Sequence, residues 1–219
     1  MKILIGCEES QIVTMEFRKL GFEAYSCDIK KTSGKYAEFH FQNDLFEVVE
    51  KLKPNVLIAF PPCTNLAISG TRHFQKKIEN GEQQKSIEFF MKIANLNIEH
   101  IAIENPIGIM SSKYRKPTQI IQPYYFGDEF QKTTCLWLKN LPLLIHNKTP
   151  NLFNEKITHT NKGEFYYFHD KKSGKMKRQP LWYVKARNNH SEIRSKTFPG
   201  IAKAMAEQWG HFLAQKYYK

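Results

Sequence analysis

From Lys2 to Glu104 short apolar runs alternate with helix-length amphipathic segments. A mostly parallel sheet covered by helices on both faces is the arrangement that buries both kinds of segment in that order. The pattern predicts a first strand over Lys2–Gly6, a helix capped by Ser10 and running to Leu20, and a stop at Gly21. Ala24–Cys27 reads as a second strand ending at Asp28. Asp44 opens a helix through about Lys51 that Pro54 terminates. Val56–Phe60 reads as a buried central strand. Glu82–Asn95 has helical periodicity, with Ile87, Phe90, Met91 and Ala94 on one face, and Ile98–Ile103 returns as the next strand.

Beyond Glu104 the alternation loosens. Lys113–Pro117 is a basic loop, Gln119–Gln122 a short strand and Thr134–Leu138 a better one. Residues 147–196 form a polar, basic insert. Within it Phe165-Tyr166-Tyr167-Phe168 and Leu181-Trp182-Tyr183-Val184 flank Lys171-Lys172-Ser173-Gly174-Lys175, the pattern of a hairpin with a cationic tip. Pro199 starts a closing helix, Gly200 to about Lys216, whose Ala202, Met205, Ala206, Trp209 and Phe212 share a face. The expected organisation is one domain over residues 1–219, with the insert at 147–196 and no internal repeat.

Lys and Arg outnumber Asp and Glu 33 to 21, a net charge of +12, and such an excess points to a polyanionic partner or to a merely basic surface. No apolar run reaches the roughly 18 residues of a membrane-spanning helix, and no secretory h-region precedes Cys7-Glu8-Glu9, so a cytoplasmic protein is expected. Cys7, Cys27, Cys63 and Cys135 lie far apart without a C-x-x-C pair. His73, His100, His169 and His190 show no metal-ligand spacing, so no metal is expected.

The chemistry concentrates at strand ends, where open parallel sheets place their ligands. Phe60-Pro61-Pro62-Cys63-Thr64 follows the central strand directly, and two prolines hold the next thiol in one place. The plain alternative is a proline-rich turn before a buried cysteine. Ile103-Glu104-Asn105-Pro106 ends the following strand, which brings a carboxyl suited to proton donation to the same edge as Cys63. Asp28 and Asp44 are strand-end acids of the kind that take the ribose hydroxyls of a nucleoside cofactor, although a plain helix cap explains Asp44 equally well.

These elements resemble the cytosine-C5 DNA methyltransferases, and most closely the small phage and prophage type. Ala59 to Gly70 resembles the Pro-Cys catalytic loop and Glu104-Asn105-Pro106 the Glu-Asn-Val segment. Asn43-Asp44-Leu45 is similar to the element that holds the cofactor adenine, and Thr197-Phe198-Pro199-Gly200-Ile201-Ala202-Lys203-Ala204 to the C-terminal cofactor motif. The resemblance implies an α/β fold of the class I, Rossmann-like type that uses S-adenosylmethionine. It implies Cys63 as nucleophile and Glu104 as its acidic partner, with Pro62 and Asn105 shaping the catalytic centre. It places Gly6, Cys7, Glu8, Asp28, Asp44, Pro61 and Pro199 around the cofactor. It also implies a nucleic-acid substrate, DNA before RNA, which must be single-stranded or flipped out of a duplex for the thiol to reach the base.

Candidate substrate contacts are Thr64 and Arg72 after the nucleophile, Lys113 and Arg115 after Glu104, and Lys172 and Lys175 in the insert, with Tyr166, Tyr167 and Trp182 available for stacking. The chain departs from the family in three places. Gly6-Cys7-Glu8-Glu9-Ser10 lacks the glycine-rich first turn. Gln131-Lys132-Thr133-Thr134-Cys135 stands where a Gln-x-Arg-x-Arg element is usual, leaving Lys132 or Thr133 to substitute. The recognition region is short. Three other readings remain: amino methylation, for which Phe60 supplies no acceptor; C5 methylation of RNA or a free nucleotide; and an inactive relative that only binds nucleic acid.

Overall fold

The computed structural model describes residues 1–146, 160–180 and 197–217. Its strands and helices run β1 (Lys2–Gly6), α1 (Ile12–Lys19), β2 (Glu23–Asp28), β3 (His40–Gln42), α2 (Leu45–Leu52) and β4 (Val56–Ala59). They continue with α3 (Phe74–Glu79), α4 (Glu82–Ala94), β5 (His100–Pro106), α5 (Met110–Lys113), β6 (Gln119–Ile121) and β7 (Thr134–Lys139). A hairpin of β8 (Phe165–His169) and β9 (Met176–Pro180) follows, then α6 (Pro199–Ala204) and α7 (Gly210–Tyr217), joined by a π-helical turn over Met205–Trp209.

Seven strands form one sheet in the order β3-β2-β1-β4-β5-β7-β6. All pairs from β3 through β5 are parallel, whereas β7 runs antiparallel to both β5 and β6. This is the doubly wound order, reversing beside β1, with one antiparallel strand slotted in before the last. Because side chains alternate across a strand, β1 feeds both faces. Ile3 and Ile5 join Val13, Phe17, Ile201, Met205 and Trp209 beneath α1, α6 and α7. Leu4 joins Leu45, Val48, Phe90, Ile93 and Trp137 beneath α2 and α4. The expected α/β fold with helices on both faces is what forms.

Several boundaries differ from expectation. Helix α1 begins at Ile12, and Ser10 does not cap it; the Glu8 carboxylate does, accepting from Val13 N at 2.6 Å and Thr14 N at 3.3 Å. A carboxylate bonded to two amides of the first turn outcompetes a single hydroxyl for the same exposed N–H groups. Gly21 does end the helix region, at φ +84°. Strand β5 starts two residues later than the apolar run suggests, with buried His100 as its first residue, held by Nδ1 against the Asn140 carbonyl at 2.6 Å. Strand β3 was not expected, since three half-exposed residues carry no apolar run.

The hairpin forms where expected, with Tyr166 opposite Gln179 and Tyr167 opposite Arg178, but its second strand is Met176–Pro180. Leu181-Trp182-Tyr183-Val184, His190 and both ends of the insert lie outside the described residues. Among the described residues no helix is long and apolar enough to cross a membrane.

Candidate active site

The carboxyl ends of β1, β2, β4 and β5 share one edge with the start of β7, since Gly6 pairs with Cys27 and Ala59, Ala59 with Ile103, and Pro106 with Thr134. The Pro-Pro-Cys loop leaves β4 at this edge. Phe60 N donates to the Gly6 carbonyl at 3.0 Å, and the buried Asn105 side chain donates through Nδ2 to the Pro61 carbonyl at 2.9 Å. The Cys63 carbonyl then accepts from Leu66 N at 3.0 Å and Ala67 N at 2.9 Å, closing a tight turn around the thiol. Asn65 pins the turn to α4 through Ser86 Oγ at 3.0 Å, and Gln83 Nε2 returns a bond to the Asn65 carbonyl at 3.1 Å. Cys63 is half-buried between exposed Pro62 and Thr64.

The segment after Cys63 also pairs with the segment after Glu104. Ile68 N donates to the Ile107 carbonyl at 3.0 Å and Ile109 N to the Leu66 carbonyl at 3.0 Å. A Cβ at Gly108 would lie 2.1 Å from the Leu66 carbonyl oxygen, so this approach of two backbones requires glycine. The Cys63 loop and the Glu104 strand end are therefore fixed to each other at two levels, by Asn105 and by this backbone pair.

Glu104 lines a shallow cleft with Lys132, Thr134, Thr197, Phe198 and Ile201. Of the two residues expected to replace arginine, Lys132 faces this cleft, with Nζ 5.8 Å from the Phe198 ring centre. Thr133 instead braces the loop, its hydroxyl accepting from Gln122 Nε2 at 2.7 Å. Cys135, opposite Asn105 in the register, has its thiol pushed up to about 11 by burial and then by the Glu104 charge.

At the other end of the edge, Cys7 has a left-handed backbone at φ +58°. Burial pushes its thiol up to about 12, helped by the charges of Asp28 and Asp44 and by Cys27. Those two carboxyls therefore flank the end of β1. Asp44 also caps α2, with Oδ1 accepting from Phe46 N at 2.9 Å and Glu47 N at 3.3 Å, and Asp28 Oδ1 accepts from Lys30 N at 2.9 Å. Pro199 is the exposed first residue of α6, directly after Phe198, and Gly200 N is held by Asp128 Oδ2 at 2.9 Å.

Two candidates are bonded into the scaffold. Glu8 is 4 % exposed, and Thr14 Oγ1 donates to Oε2 at 2.6 Å in addition to the two amide bonds. Arg115 is committed to the scaffold, its Nη2 donating to the Leu138 carbonyl at 2.9 Å and its Nη1 to Thr118 Oγ1 at 3.0 Å, toward the edge opposite Cys63. Its side chain is exposed and holds the scaffold through these two bonds. Arg72 is exposed in the 3-10 turn Ile68–His73, and Lys113 is exposed at the end of α5. Lys172 and Lys175 are exposed at the hairpin tip, where Asp170 Oδ1 accepts from Lys172 N at 2.8 Å and Asp170 N donates to the Lys175 carbonyl at 3.0 Å. Among the described residues no group of three or more His, Cys, Asp or Glu side chains could hold a metal ion.

Sequence reasoning did not single out Thr134, Asp128 or the bracing Gln122. Nothing in their local sequence marks them: the insertion of β7 beside β5 sets Thr134 opposite Pro106, Gln122 braces Thr133, and Asp128 accepts from Gly200 N at the start of α6.

The parallel sheet with a reversed penultimate strand, and loops converging on its carboxyl edge, define the Rossmann-like arrangement of class I methyltransferases. No protein-family model and no curated protein matches the sequence. Among solved structures the chain is similar to an E. coli prophage-encoded protein assigned as a DNA modification methyltransferase, with TM-score 0.40, 15 % identity and coverage of 63 % of this chain and 46 % of that one. It is also similar to the Entamoeba histolytica methyltransferase EhMeth (TM-score 0.44, 16 % identity, 75 % and 58 % covered) and to the S. pombe Dnmt2 methyltransferase (0.39, 13 %, 63 % and 48 %). The chain spans about half the length of these proteins.

Proposed function

We propose that the chain transfers a methyl group from S-adenosylmethionine to C5 of cytosine in nucleic acid, DNA foremost, through a covalent bond to Cys63. The observation that carries this reading is the fixed relation of the Cys63 loop to Glu104 by the Asn105–Pro61 bond. A nucleophile and an acid anchored to one another on a ligand-binding edge are what addition to an electron-poor ring needs.

Asp28 and Asp44 flank the end of β1, where carboxylates meet the hydroxyls of a nucleoside, and Glu8 leaves no free helix end for a phosphate, so the residues present fit a phosphate-free nucleoside cofactor. S-adenosylmethionine supplies an electrophilic methyl group there. The Cys63 thiolate forms a bond to C6 of cytosine, and Glu104 at N3 stabilises the charge that develops on the ring. The electron pair raised at C5 takes the methyl group. Transfer of the C5 proton to solvent then returns the C–H electron pair to the ring and expels the Cys63 thiolate, which restores aromaticity. Lys132, which lines the cleft with Glu104, holds the base or its phosphate in this reading, and exposed Arg72, Lys172 and Lys175 neutralise the backbone.

An oligonucleotide carrying 5-fluorocytosine tests the covalent step, because fluorine at C5 cannot leave as a proton does. Intact-mass analysis with S-adenosylmethionine present is expected to show one oligonucleotide bound per chain, absent in Cys63→Ala. An uncombined wild-type protein that nevertheless binds the oligonucleotide would count for a binding role without chemistry.

A further inference from the structure

In a doubly wound sheet the amides that open the first helix usually face an anionic group of the bound ligand, and a glycine-rich turn lets that group approach. Here the corresponding turn is Gly6-Cys7-Glu8-Glu9-Ser10-Gln11, and its own carboxyl group takes that place. Glu8 Oε1 accepts from Val13 N at 2.6 Å, while Oε2 accepts from Thr14 N at 3.3 Å and from the Thr14 hydroxyl at 2.6 Å. The side chain is buried and makes no ion pair among the described residues.

The turn is also held in this conformation from outside. Gln11, 1 % exposed with a left-handed backbone at φ +60°, clasps the loop after β2 by donating from Nε2 to the Tyr36 carbonyl at 2.8 Å and accepting from Tyr36 N at 3.3 Å. Thr32 Oγ1 and Ser33 N both donate to the Glu9 carbonyl, at 2.7 and 3.1 Å. These contacts fix the backbone of the turn that carries Glu8, while the Glu8 side chain is held by its own bonds to Val13 and Thr14.

We propose that Glu8 is a specificity-determining residue, a built-in occupant that closes the α1 terminus to phosphate-bearing nucleotides and restricts the edge beside it to a nucleoside cofactor without phosphate. This rests on the reading of the β1–β2 edge as a cofactor site. Glu8 acts by exclusion and by positioning the turn, not by touching the cofactor.

The test uses the full chain as wild type, Glu8→Ala and the milder Glu8→Gln, with acetate and inorganic phosphate as probes and thermal unfolding plus amide NMR shifts of Val13 and Thr14 as readouts. Glu8→Ala empties the carboxyl position, so acetate at about pH 5, where its acid form is also present, is expected to raise the unfolding temperature and shift both amides, at concentrations at least about tenfold below any effect on wild type. Glu8→Gln, which keeps the position filled, is expected to respond like wild type. The proposal is overturned if folded Glu8→Ala gains no response to either anion, or if phosphate or a nucleoside triphosphate shifts Val13 and Thr14 in the wild-type chain. Calorimetry with S-adenosylmethionine on wild type separates the two readings: absent binding beside a clear acetate response removes the cofactor assignment while leaving the exclusion by Glu8 in place.

Discussion

Asn105 donates from Nδ2 to the Pro61 carbonyl at 2.9 Å, and so couples the end of β5 to the loop that presents Cys63. Asn105 is 1 % exposed, so the bond is shielded from competing water. It sets the Cys63 loop relative to Glu104, the residue before Asn105. Asn105→Ala is expected to lower methyl transfer about a hundredfold, the scale of a misplacement near 1 Å, while changing cofactor affinity by less than about threefold. Single-turnover rates and calorimetry on the same preparations check both halves.

Burial holds the Cys7 and Cys27 thiols up to about 12 and the Cys135 thiol up to about 11. Thiolate is the reactive form, so alkylation of the native chain at about pH 8 is expected to mark half-buried Cys63 well before the other three. Peptide mapping after a short iodoacetamide pulse reads the order, and preferential labelling of Cys7 or Cys135 would contradict it.

Glu8 gives stability a pH dependence of defined sign. Burial lifts its carboxyl from 4.5 to about 7 against the opposing bonds from Thr14 and Val13. The folded chain thus keeps this proton to higher pH than the unfolded chain does. Its contribution is fully present below the unfolded value and is lost as pH rises through about 7, on the order of 3 kcal/mol in total. Urea unfolding of wild type and Glu8→Gln at about pH 5 and about pH 8 is expected to show a larger loss across that interval in the wild type.

How much of this was legible in the sequence follows from what each segment contributes on its own. The strands β1, β2, β4 and β7 and the helices α2 and α4 announce themselves, because their apolar periods match the faces they bury. The Cys63 and Glu104 loops were found because prolines mark them and because each ends a buried strand. Strand β3 and α3 were missed, being short and exposed enough to carry no period. What the sequence could not show for Glu8 and Arg115 is their partners: a charged residue looks unpartnered in a sequence, and only the fold shows the bonds to Val13, Thr14 and the Leu138 carbonyl.

Arg115 and the hairpin lysines should accordingly separate in experiment. Lys172→Ala combined with Lys175→Ala is expected to reduce the slope of log affinity against log salt by about 2, as two lost phosphate contacts require. Arg115→Ala should leave that slope unchanged and instead cost about 1 kcal/mol of stability through its lost bond to Leu138. Anisotropy titrations over a salt series, paired with denaturant melts, distinguish the two outcomes.

The most direct measurement is transfer of labelled methyl from S-adenosylmethionine into duplex DNA, single-stranded DNA, RNA and dCTP, followed by nucleoside mass analysis, with Cys63→Ala and Glu104→Gln beside wild type. A covalent C5 mechanism predicts 5-methylcytosine in DNA, its disappearance with Cys63→Ala and a strong reduction with Glu104→Gln. An N-methylated base that survives Cys63→Ala would contradict it.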